Sequence, residues 1–274
     1  MTRPARRRLL TRRRTRYAAP ALEKGLDILE LLASVSESLA HAEIARRLGR
    51  SVSEVFRMLV CLEERGYISQ PGPDERYQLT LKLFELAHLH HPWQRLIAQA
   101  RPLVQKVAAS TGQSCHLAML NNAEIVVVAQ ADAPGNLSFS VRLGANIDLL
   151  HTSSGHVILA FQNQAVRARA LEAWQRRSRH RAPSNFFGHL ERIRRRGYEE
   201  LASYQVRGVL NISYPVLNQH GEAVAAVTVP FLEHLEGRIG ARQVRQTLAQ
   251  TAGSLSAAIG GKHLQLGRSA QARL

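Results

Sequence analysis

Apolar side chains in the first third of the chain recur at the three- and four-residue intervals of an amphipathic helix. This spacing predicts a first helix over 21–33 and a short second helix over 41–48. The second helix ends at Gly49, a residue suited to the left-handed conformation of a helix end. A third helix is predicted from Ser51, its capping residue, to about Arg65.

The predicted third helix has two different faces at about 100° per residue. The apolar face is expected to be buried and carries Val52, Val55, Leu59 and Leu62. The opposite face carries Ser53 and Arg57, and Glu54, the capping-box partner of Ser51, lies at its edge. A polar, basic face of this kind can enter the major groove of DNA, where arginine pairs with guanine. The alternative is a solvated face of an ordinary helical bundle.

Two short β-prone runs follow over 67–70 and 76–79, and the Pro-Gly-Pro-Asp-Glu segment between them must turn. Three helices and a hairpin are the order of a winged helix-turn-helix, which we predict over 21–80. Arg76, beside the hairpin tip, is expected to meet a DNA phosphate. The residues predicted to bind DNA are Arg46, Arg50, Ser51, Ser53, Glu54, Arg57 and Arg76.

The pattern changes after residues 81–110, which are helical in character and are predicted to link two domains. Strand-like runs over 114–120 and 124–130 are joined by a tight Asn-Asn-Ala connection. The further elements expected are a weaker strand over 137–142, helices over 154–161, 165–175, 187–196 and 242–259, and a hairpin over 209–217 and 223–229. Grouped strands and helices predict an α+β fold with an antiparallel sheet over 111–261, followed by a tail over 262–274.

The length and net charge of the chain indicate its number of domains and the kind of partner it binds. A chain of 274 residues suits two domains, and no apolar run approaches the roughly 20 residues of a membrane-spanning helix, so we expect a soluble protein. The formal net charge of +16 indicates a polyanionic partner, most commonly nucleic acid. Half of this excess comes from eight arginines before Tyr17, within a segment over 1–20 that is predicted to be disordered.

The arginine-rich tail leaves two interpretations open. It can act as an arm on DNA phosphates or in a minor groove, or it can contribute nothing specific. No apolar segment follows it as in a signal peptide, so we expect a cytoplasmic protein with no membrane partner. If the tail dominates, the alternative function is nonspecific binding of nucleic acid.

The sequence gives little sign of catalysis or of a bound metal. Cys61 and Cys115 are the only cysteines, and they support neither a disulfide framework nor a structural zinc site. One histidine group lacks the carboxylate or thiol that would complete a metal site: His88, His90 and His91. Cys115 adjoins His116, but neighbouring strand residues point to opposite faces, and no orienting acid accompanies them. We therefore predict no catalytic residue, no metal and no cofactor.

The chain resembles the IclR family of transcription regulators from about 21 to 259. The segments that carry the resemblance are Ala21–Leu29, Glu43–Gly49, Leu62–Ile68, His151–His156, Arg195–Tyr198, Gly208–Val209 and Tyr214–Val216. The resemblance implies a winged helix-turn-helix joined by a linker helix to a GAF-like effector domain. It also implies a homodimer or dimer of dimers controlled by small organic molecules, often carboxylates or aromatic degradation intermediates. The chain departs from the family at Tyr204–Gly208, where many members carry a Glu-Cys pair.

Polar residues at the start of a helix in the second domain are candidates for binding such an effector. If Ser153 or Ser154 caps this helix, the N–H groups of Gly155 and His156 point outward, and a helix N-terminus favours a carboxylate. His151 would add another donor. The alternative is that these residues only cap the helix.

Strand alternation puts Asn211 and Ser213 on one face of the second hairpin. If the hairpin turns near Gln219 and His220, Asn211 lies close to Thr228 across the strands. Polar groups that converge on an apolar sheet can form an effector pocket, whereas the alternative is a solvent-facing edge hairpin. The predicted effector-binding residues are His151, Ser153, Ser154, Gly155, Asn211, Ser213 and Thr228.

Overall fold

The computed structural model describes residues 19–70, 75–88, 91–136, 138–178, 180–233 and 239–262. Its chain divides into two compact units, Met1–His90 and His91–Leu274. The predictions for the arginine-rich tail, for the tip of the wing and for the C-terminal tail lie outside the described residues. Among those described, no helix combines the length and the apolar composition that crossing a bilayer requires.

The first unit has the helix, helix, helix, hairpin order of a winged helix-turn-helix, which confirms the prediction. Its elements are α1 (Pro20–Ala33), β1 (Leu39–Ala40), α2 (His41–Leu48), α3 (Val52–Glu64), β2 (Ile68–Ser69), β3 (Arg76–Leu79) and α4 (Lys82–His88). The short strands form an antiparallel sheet in the order β1-β3-β2. Gly49 ends α2 with a φ of 64°, in the left-handed region that glycine adopts without strain.

One apolar cluster holds the three helices and the small sheet together. Its fully buried members come from every helix of the domain core and from two strands: Ile28, Leu39, Ile44, Leu59 and Ile68. The prediction that Val52 belongs to the buried face of α3 is wrong, because its side chain is 47% exposed. Val52 is the first residue of α3, before the helix reaches the core, so its position around the helix does not bury it.

The second unit is an antiparallel sheet covered by helices on both faces. Its elements are α5 (His91–Thr111), β4 (Cys115–Asn121), β5 (Glu124–Ala131), β6 (Asn146–Asp148), α6 (Ser153–Ala160), α7 (Gln164–Ser178), α8 (Phe186–Arg196), β7 (Glu199–Ala202), β8 (Val209–Leu217), β9 (Ala223–Leu232) and α9 (Ala241–Ala258). The strand order is β6-β5-β4-β9-β8-β7. Helices α5 and α9 pack on one apolar cluster of the sheet, and α6, α7 and α8 pack on the other.

Helix α5 belongs to the second unit, although the sequence pattern predicts most of its residues to lie in the segment that links two domains. Leu96, Ala100 and Val104 are buried in the same cluster as strand residues of β4 and residues of α9. A helix whose apolar stripe is covered by a sheet is part of that domain's core. The compact unit therefore begins at His91 and not at Thr111.

The strand predicted over 137–142 is absent from the part of this segment that is described. Residues 138–142 have no ladder partner, and the edge strand next to β5 is instead β6, where Ile125 pairs with Ile147. Phe139 and Val141 line a cavity. Their alternate apolar positions therefore arise from a segment that lies over the sheet and not from a strand within it. Strand β7 was not predicted, because a run that begins with two glutamates lacks β-prone residues.

Candidate functional site

A capping box fixes the start of α3. The Ser51 hydroxyl accepts from the Glu54 N–H, and the Ser51 N–H donates to the Glu54 carboxylate at 3.2 Å. Lys24 donates to the same carboxylate at 2.6 Å, and this bond, together with those from Ser51, lowers the pKa of Glu54 to about 2. Ser51 and Glu54, both predicted to bind DNA, are thus engaged in orienting the helix.

Two arginines predicted to bind DNA are held by groups of their own domain. Arg50 donates to the Asp27 carboxylate at 2.6 Å, and Arg76 donates twice to the Ser38 carbonyl at 2.7 and 3.0 Å. Arg46 differs, because its side chain is 74% exposed and its nearest carboxylate oxygen, on Glu43, lies 3.9 Å away. Of these three guanidinium groups, that of Arg46 is the one free to reach outward.

The outward face of α3 combines hydroxyl, basic and apolar groups. Ser53 and Arg57 are exposed, as predicted for this face, and Arg57 makes no ion pair or hydrogen bond with any described residue. Phe56 is 50% exposed, and its ring centroid lies 6.0 Å from that of His41. Sequence reasoning missed Phe56, although an aromatic side chain adjacent to Arg57 and outside the buried sector was the available signal.

The second unit contains a cavity of about 40 Å³ between its sheet and the start of α6. Four residues predicted to bind an effector line this cavity: Ser153, Ser154, Asn211 and Thr228. The other lining residues are His116, Phe139, Val141, Ile147, Thr152, Ser203, Tyr204 and Gln205. The volume is close to that of about one water molecule, so a larger ligand requires side chains of the lining to move.

Hydroxyl groups are joined in a chain beneath this cavity. The Ser213 hydroxyl lies 2.7 Å from that of Ser153 and 2.7 Å from that of Thr228, and the Thr228 hydroxyl lies 2.9 Å from that of Ser154. All four side chains are buried, so these bonds replace the water that each hydroxyl loses on folding. The structure therefore brings together residues that are 60 and 74 positions apart in the chain.

The prediction that Ser153 or Ser154 caps α6 is wrong, because the cap is Thr152. Its hydroxyl accepts from the Gly155 N–H at 3.2 Å, and its carbonyl accepts from the His156 N–H at 3.0 Å. The amides expected to point outward are consequently bonded within the helix. The N–H groups without an intrahelical acceptor belong to the first turn, to Ser153 and Ser154, whose side chains line the cavity.

Gly155 has a packing role in place of the predicted ligand contact. A β-carbon at this position would overlap the backbone carbonyl of Leu149, so α6 can approach that segment only with glycine here. His151 also lies apart from the cavity lining. Its Nδ1 is 2.8 Å from the Asp148 carboxylate, and its ring packs beside that of Tyr204.

The register of the β8–β9 hairpin differs from the one expected for Asn211. Ser213 pairs with Thr228, whereas Asn211 pairs with Pro230, two residues further along. The hairpin turns at 218–221 and has an irregularity between Val216 and Leu217, which shifts the pairing relative to a simple turn near 219–220. Asn211 still reaches the cavity lining because alternate residues of a strand share a face.

His116 is a candidate effector-binding residue that sequence reasoning missed. It pairs in register with Thr228, lines the cavity, and has an Nε2 with no hydrogen-bond partner among the described residues. Burial lowers the pKa of His116 to about 4, so the ring is neutral near pH 7. Its neighbour Cys115 belongs to the cluster on the opposite face of the sheet, and burial raises the pKa of its thiol. From the sequence alone, His116 stands out only as the neighbour of Cys115.

The segment that departs from the family pattern forms part of the cavity wall. Gln205 donates to the Tyr204 hydroxyl at 2.9 Å, and both residues line the cavity. Burial raises the pKa of Tyr204, which keeps its phenol neutral. This part of the cavity wall is thus formed by a phenol and an amide.

Comparisons with known proteins cover both units. Residues 21–72 match the family model of the IclR helix-turn-helix domain, and residues 90–257 match that of the bacterial transcriptional regulator IclR C-terminal domain. The HTH-type transcriptional regulator KdgR of Escherichia coli is 30% identical over 212 residues, which are 76% of this chain and 80% of that protein. The glycerol operon regulatory protein of Streptomyces coelicolor is 28% identical, over 76% of this chain and 83% of its own length.

Solved structures show the same fold. The Thermotoga maritima IclR is 24% identical with a TM-score of 0.67, and the match covers 87% of this chain and 98% of that one. An IclR homolog from Microbacterium hydrocarbonoxydans, complexed with 4-hydroxybenzoate, is 20% identical with a TM-score of 0.69 over 87% and 98% of the two chains. These likenesses support the assignment of elements in both units.

Proposed function

Because the chain belongs to the IclR family of bacterial transcriptional regulators, we propose that it binds double-stranded operator DNA sequence-specifically and that a small organic effector modulates this binding. The observation that carries the DNA-binding half is the outward face of α3, where Ser53, Phe56 and Arg57 are exposed on a helix anchored by its capping box. Exposed groups on a fixed helix suit the reading of base edges.

The residues of the first unit divide by what they can offer DNA. Arg57 is suited to a bidentate contact with guanine, Phe56 to apolar contact with a thymine methyl group, and Ser53 to either kind of base. Arg46 is suited to a phosphate. Among the remaining predicted residues, Arg50, Ser51 and Glu54 position the start of α3 through bonds within the domain. Arg76 instead joins β3 to the Ser38 carbonyl.

The effector that fits the cavity best is an aromatic or aliphatic carboxylate. The N–H groups of Ser153 and Ser154 lie at a helix N-terminus, which favours an anion, and neutral His116 offers a further hydrogen bond. Phe139 and Val141 supply an apolar wall. The complex of a structural relative with 4-hydroxybenzoate supports the same class. A ligand of that size displaces part of the wall, which provides the change of shape that modulation requires.

We expect a cytoplasmic homodimer or dimer of dimers. A dimer presents two α3 helices to half-sites about one turn of DNA apart. The effector then acts by binding more tightly to one of two arrangements of the dimer, which is the condition for coupling between two sites.

Selection of bound fragments from host genomic DNA tests the proposal. Once an operator is known, Arg57→Ala should weaken the free energy of operator binding by about 1 to 3 kcal/mol, because a bidentate contact to guanine is lost. The variant should also lose its preference for guanine at that one base position. Arg65→Ala, at the exposed residue that follows α3, is the control. An equal loss on every DNA sequence would instead make Arg57 a phosphate contact.

A second experiment separates sequence-specific binding from binding through the tail. Deletion of 2–16 should leave operator recognition in place and reduce the dependence of affinity on salt. If the full-length protein binds operator and unrelated DNA equally and the deletion abolishes binding to both, the alternative of a nonspecific nucleic-acid-binding protein is favoured. A thermal-shift screen of aromatic and aliphatic acids then identifies the effector, with Asn211→Leu expected to reduce the shift.

A further inference from the structure

Three side chains of the second unit bring metal-ligating atoms together away from the cavity. His156 on α6, His189 on α8 and Glu199 at the start of β7 offer ligand atoms that all lie within 4.8 Å of one another. His156 Nδ1 lies 3.3 Å from His189 Nε2 and 3.5 Å from Glu199 Oε2. Two zinc ligands at about 2.05 Å from the ion and at a tetrahedral angle are roughly 3.3 Å apart. Two of the three separations therefore suit a shared ion.

The tautomer of His156 leaves the correct atom free. Its Nε2 lies 2.8 Å from the Leu150 carbonyl, and a carbonyl can only accept, so Nε2 carries the proton. The Nδ1 lone pair then faces His189 and Glu199. A backbone carbonyl that orients a histidine in this way is a usual partner of metal-ligating imidazoles.

Glu199 is oriented in a similar way. Its Oε1 accepts from Arg196 at 2.5 Å and from the Glu200 N–H at 2.8 Å, whereas Oε2 faces His189 Nε2 at 2.5 Å and His156 Nδ1 at 3.5 Å. The side chain is only 2% exposed. Burial raises the pKa of Glu199, but His156, Arg196 and His189 together lower it, and the net direction is downward. The bonds to Oε1 fix the carboxylate so that Oε2 is directed at the two imidazole nitrogens, which is the orientation that a shared ion requires.

We propose that His156 Nδ1, His189 Nε2 and Glu199 Oε2 bind one divalent transition-metal ion, with zinc as the ion best suited to two imidazoles and a carboxylate. Three protein ligands leave a fourth position for water. His189 Nε2 lies 2.5 Å from Glu199 Oε2, so these atoms must separate by about 0.8 Å to share an ion at tetrahedral geometry. The His189 side chain is 28% exposed, which gives the ring room to turn and the ion a path of entry.

The ion would tie together three elements that hydrogen bonds and packing already bring close. Helix α6 carries Ser153 and Ser154 in its first turn and His156 in the next, so the ion would also hold the helix that lines the cavity. Sequence spacing gives no warning of this site, because 33 residues separate the two histidines. The proposal is independent of the effector and of the DNA-binding function.

Zinc titration of the full-length protein, after removal of metals with a chelator, tests the site. We expect about one zinc ion per chain at the site and a rise in the unfolding temperature of the second unit, because a ligand that binds the folded state stabilises it. His189→Ala, which removes the most exposed ligand, should weaken zinc affinity by at least about tenfold. Its metal-free form should unfold below the metal-free wild type because the pair with Glu199 is lost, but zinc should no longer raise its unfolding temperature.

Controls distinguish this site from other histidines. His220→Ala, at the exposed tip of the β8–β9 hairpin, should bind zinc like the wild type, and so should a variant with His88, His90 and His91 all replaced by alanine. If His189→Ala does not fold, X-ray absorption of the zinc-loaded wild type serves instead, with two imidazoles expected around the ion. The proposal is overturned by absence of zinc binding, by undiminished binding in His189→Ala, or by loss of binding in the triple variant.

Discussion

The two units satisfy their functional polar groups in opposite ways. In the first unit, charged groups at the surface are paired around the recognition helix, with Arg50 on Asp27 and Lys24 on Glu54, while Arg57 stands exposed. In the second unit, the polar groups at the cavity are neutral, and the buried hydroxyls among and beneath them bond to one another, as Ser213 does to Thr228.

The difference follows from what each unit is expected to bind. A polyanion is met at the surface, so a cation can remain solvated until DNA displaces its water and counterions. A small ligand must exchange its hydration for groups inside the protein, so those groups must be fixed and must not carry an uncompensated charge. Mutations in the second unit should therefore change stability as well as binding, and those on the outward face of α3 should change binding alone.

The largest effect is expected for Gly155→Ala. The added β-carbon overlaps the Leu149 carbonyl, so we expect the free energy of unfolding of the second unit to fall by about 3 kcal/mol. Both tryptophans, Trp93 and Trp174, belong to this unit, so denaturation followed by tryptophan fluorescence reports on it selectively. Gly188→Ala in α8 is the control, because only the end of the Arg192 side chain is near it. Equal effects of the two substitutions would refute the packing argument.

The stability of the second unit should depend on pH because His116 is buried in its neutral form. Its pKa is about 4 in the folded state and about 6.5 when unfolded, so the unfolded state binds more protons between these values. Stability contributed by the neutral ring is therefore complete above about pH 6.5 and falls by about 3 kcal/mol as pH decreases to 4. His116→Gln should flatten this part of the tryptophan-detected profile. Parallel profiles for variant and wild type would exclude the assignment.

A smaller loss is expected for Thr228→Val, which keeps the shape of the side chain but removes a hydroxyl bonded to Ser154 and Ser213. Leaving these partners unsatisfied should cost the second unit about 2 kcal/mol, measured by the same fluorescence. DNA affinity without effector should remain at the wild-type value. Thr247→Val, near the surface of α9, removes one bond to the Gln243 carbonyl and serves as the control. A comparable loss in this control would show that the buried hydroxyl groups stabilise the unit no more than a hydrogen bond near the surface does.

The same contrast explains what could be predicted from sequence. In the first unit, local signals predict the capping box of Ser51 and Glu54 and the exposed position of Arg57. They do not predict the partners of Arg50 and Arg76, which lie 23 and 38 residues away. In the second unit, Ser153 meets Ser213 only through the fold, and a shift in the hairpin moved the expected partner of Thr228 from Asn211 to Ser213. Residue types at the cavity were predictable, but their contacts depend on long-range register.

The smallest effect is expected for Phe56, and it tests whether residues on the outward face of α3 change DNA binding without changing stability. Its side chain is half exposed, so Phe56→Ala should scarcely change stability, while loss of contact with a thymine methyl group should weaken operator binding by about 1 kcal/mol, or about fivefold. Replacing that thymine by deoxyuridine removes the methyl group alone. The two changes together should then cost no more than either one, because both delete the same contact. Additive losses would mean that Phe56 acts by holding α3 and not by reading the base.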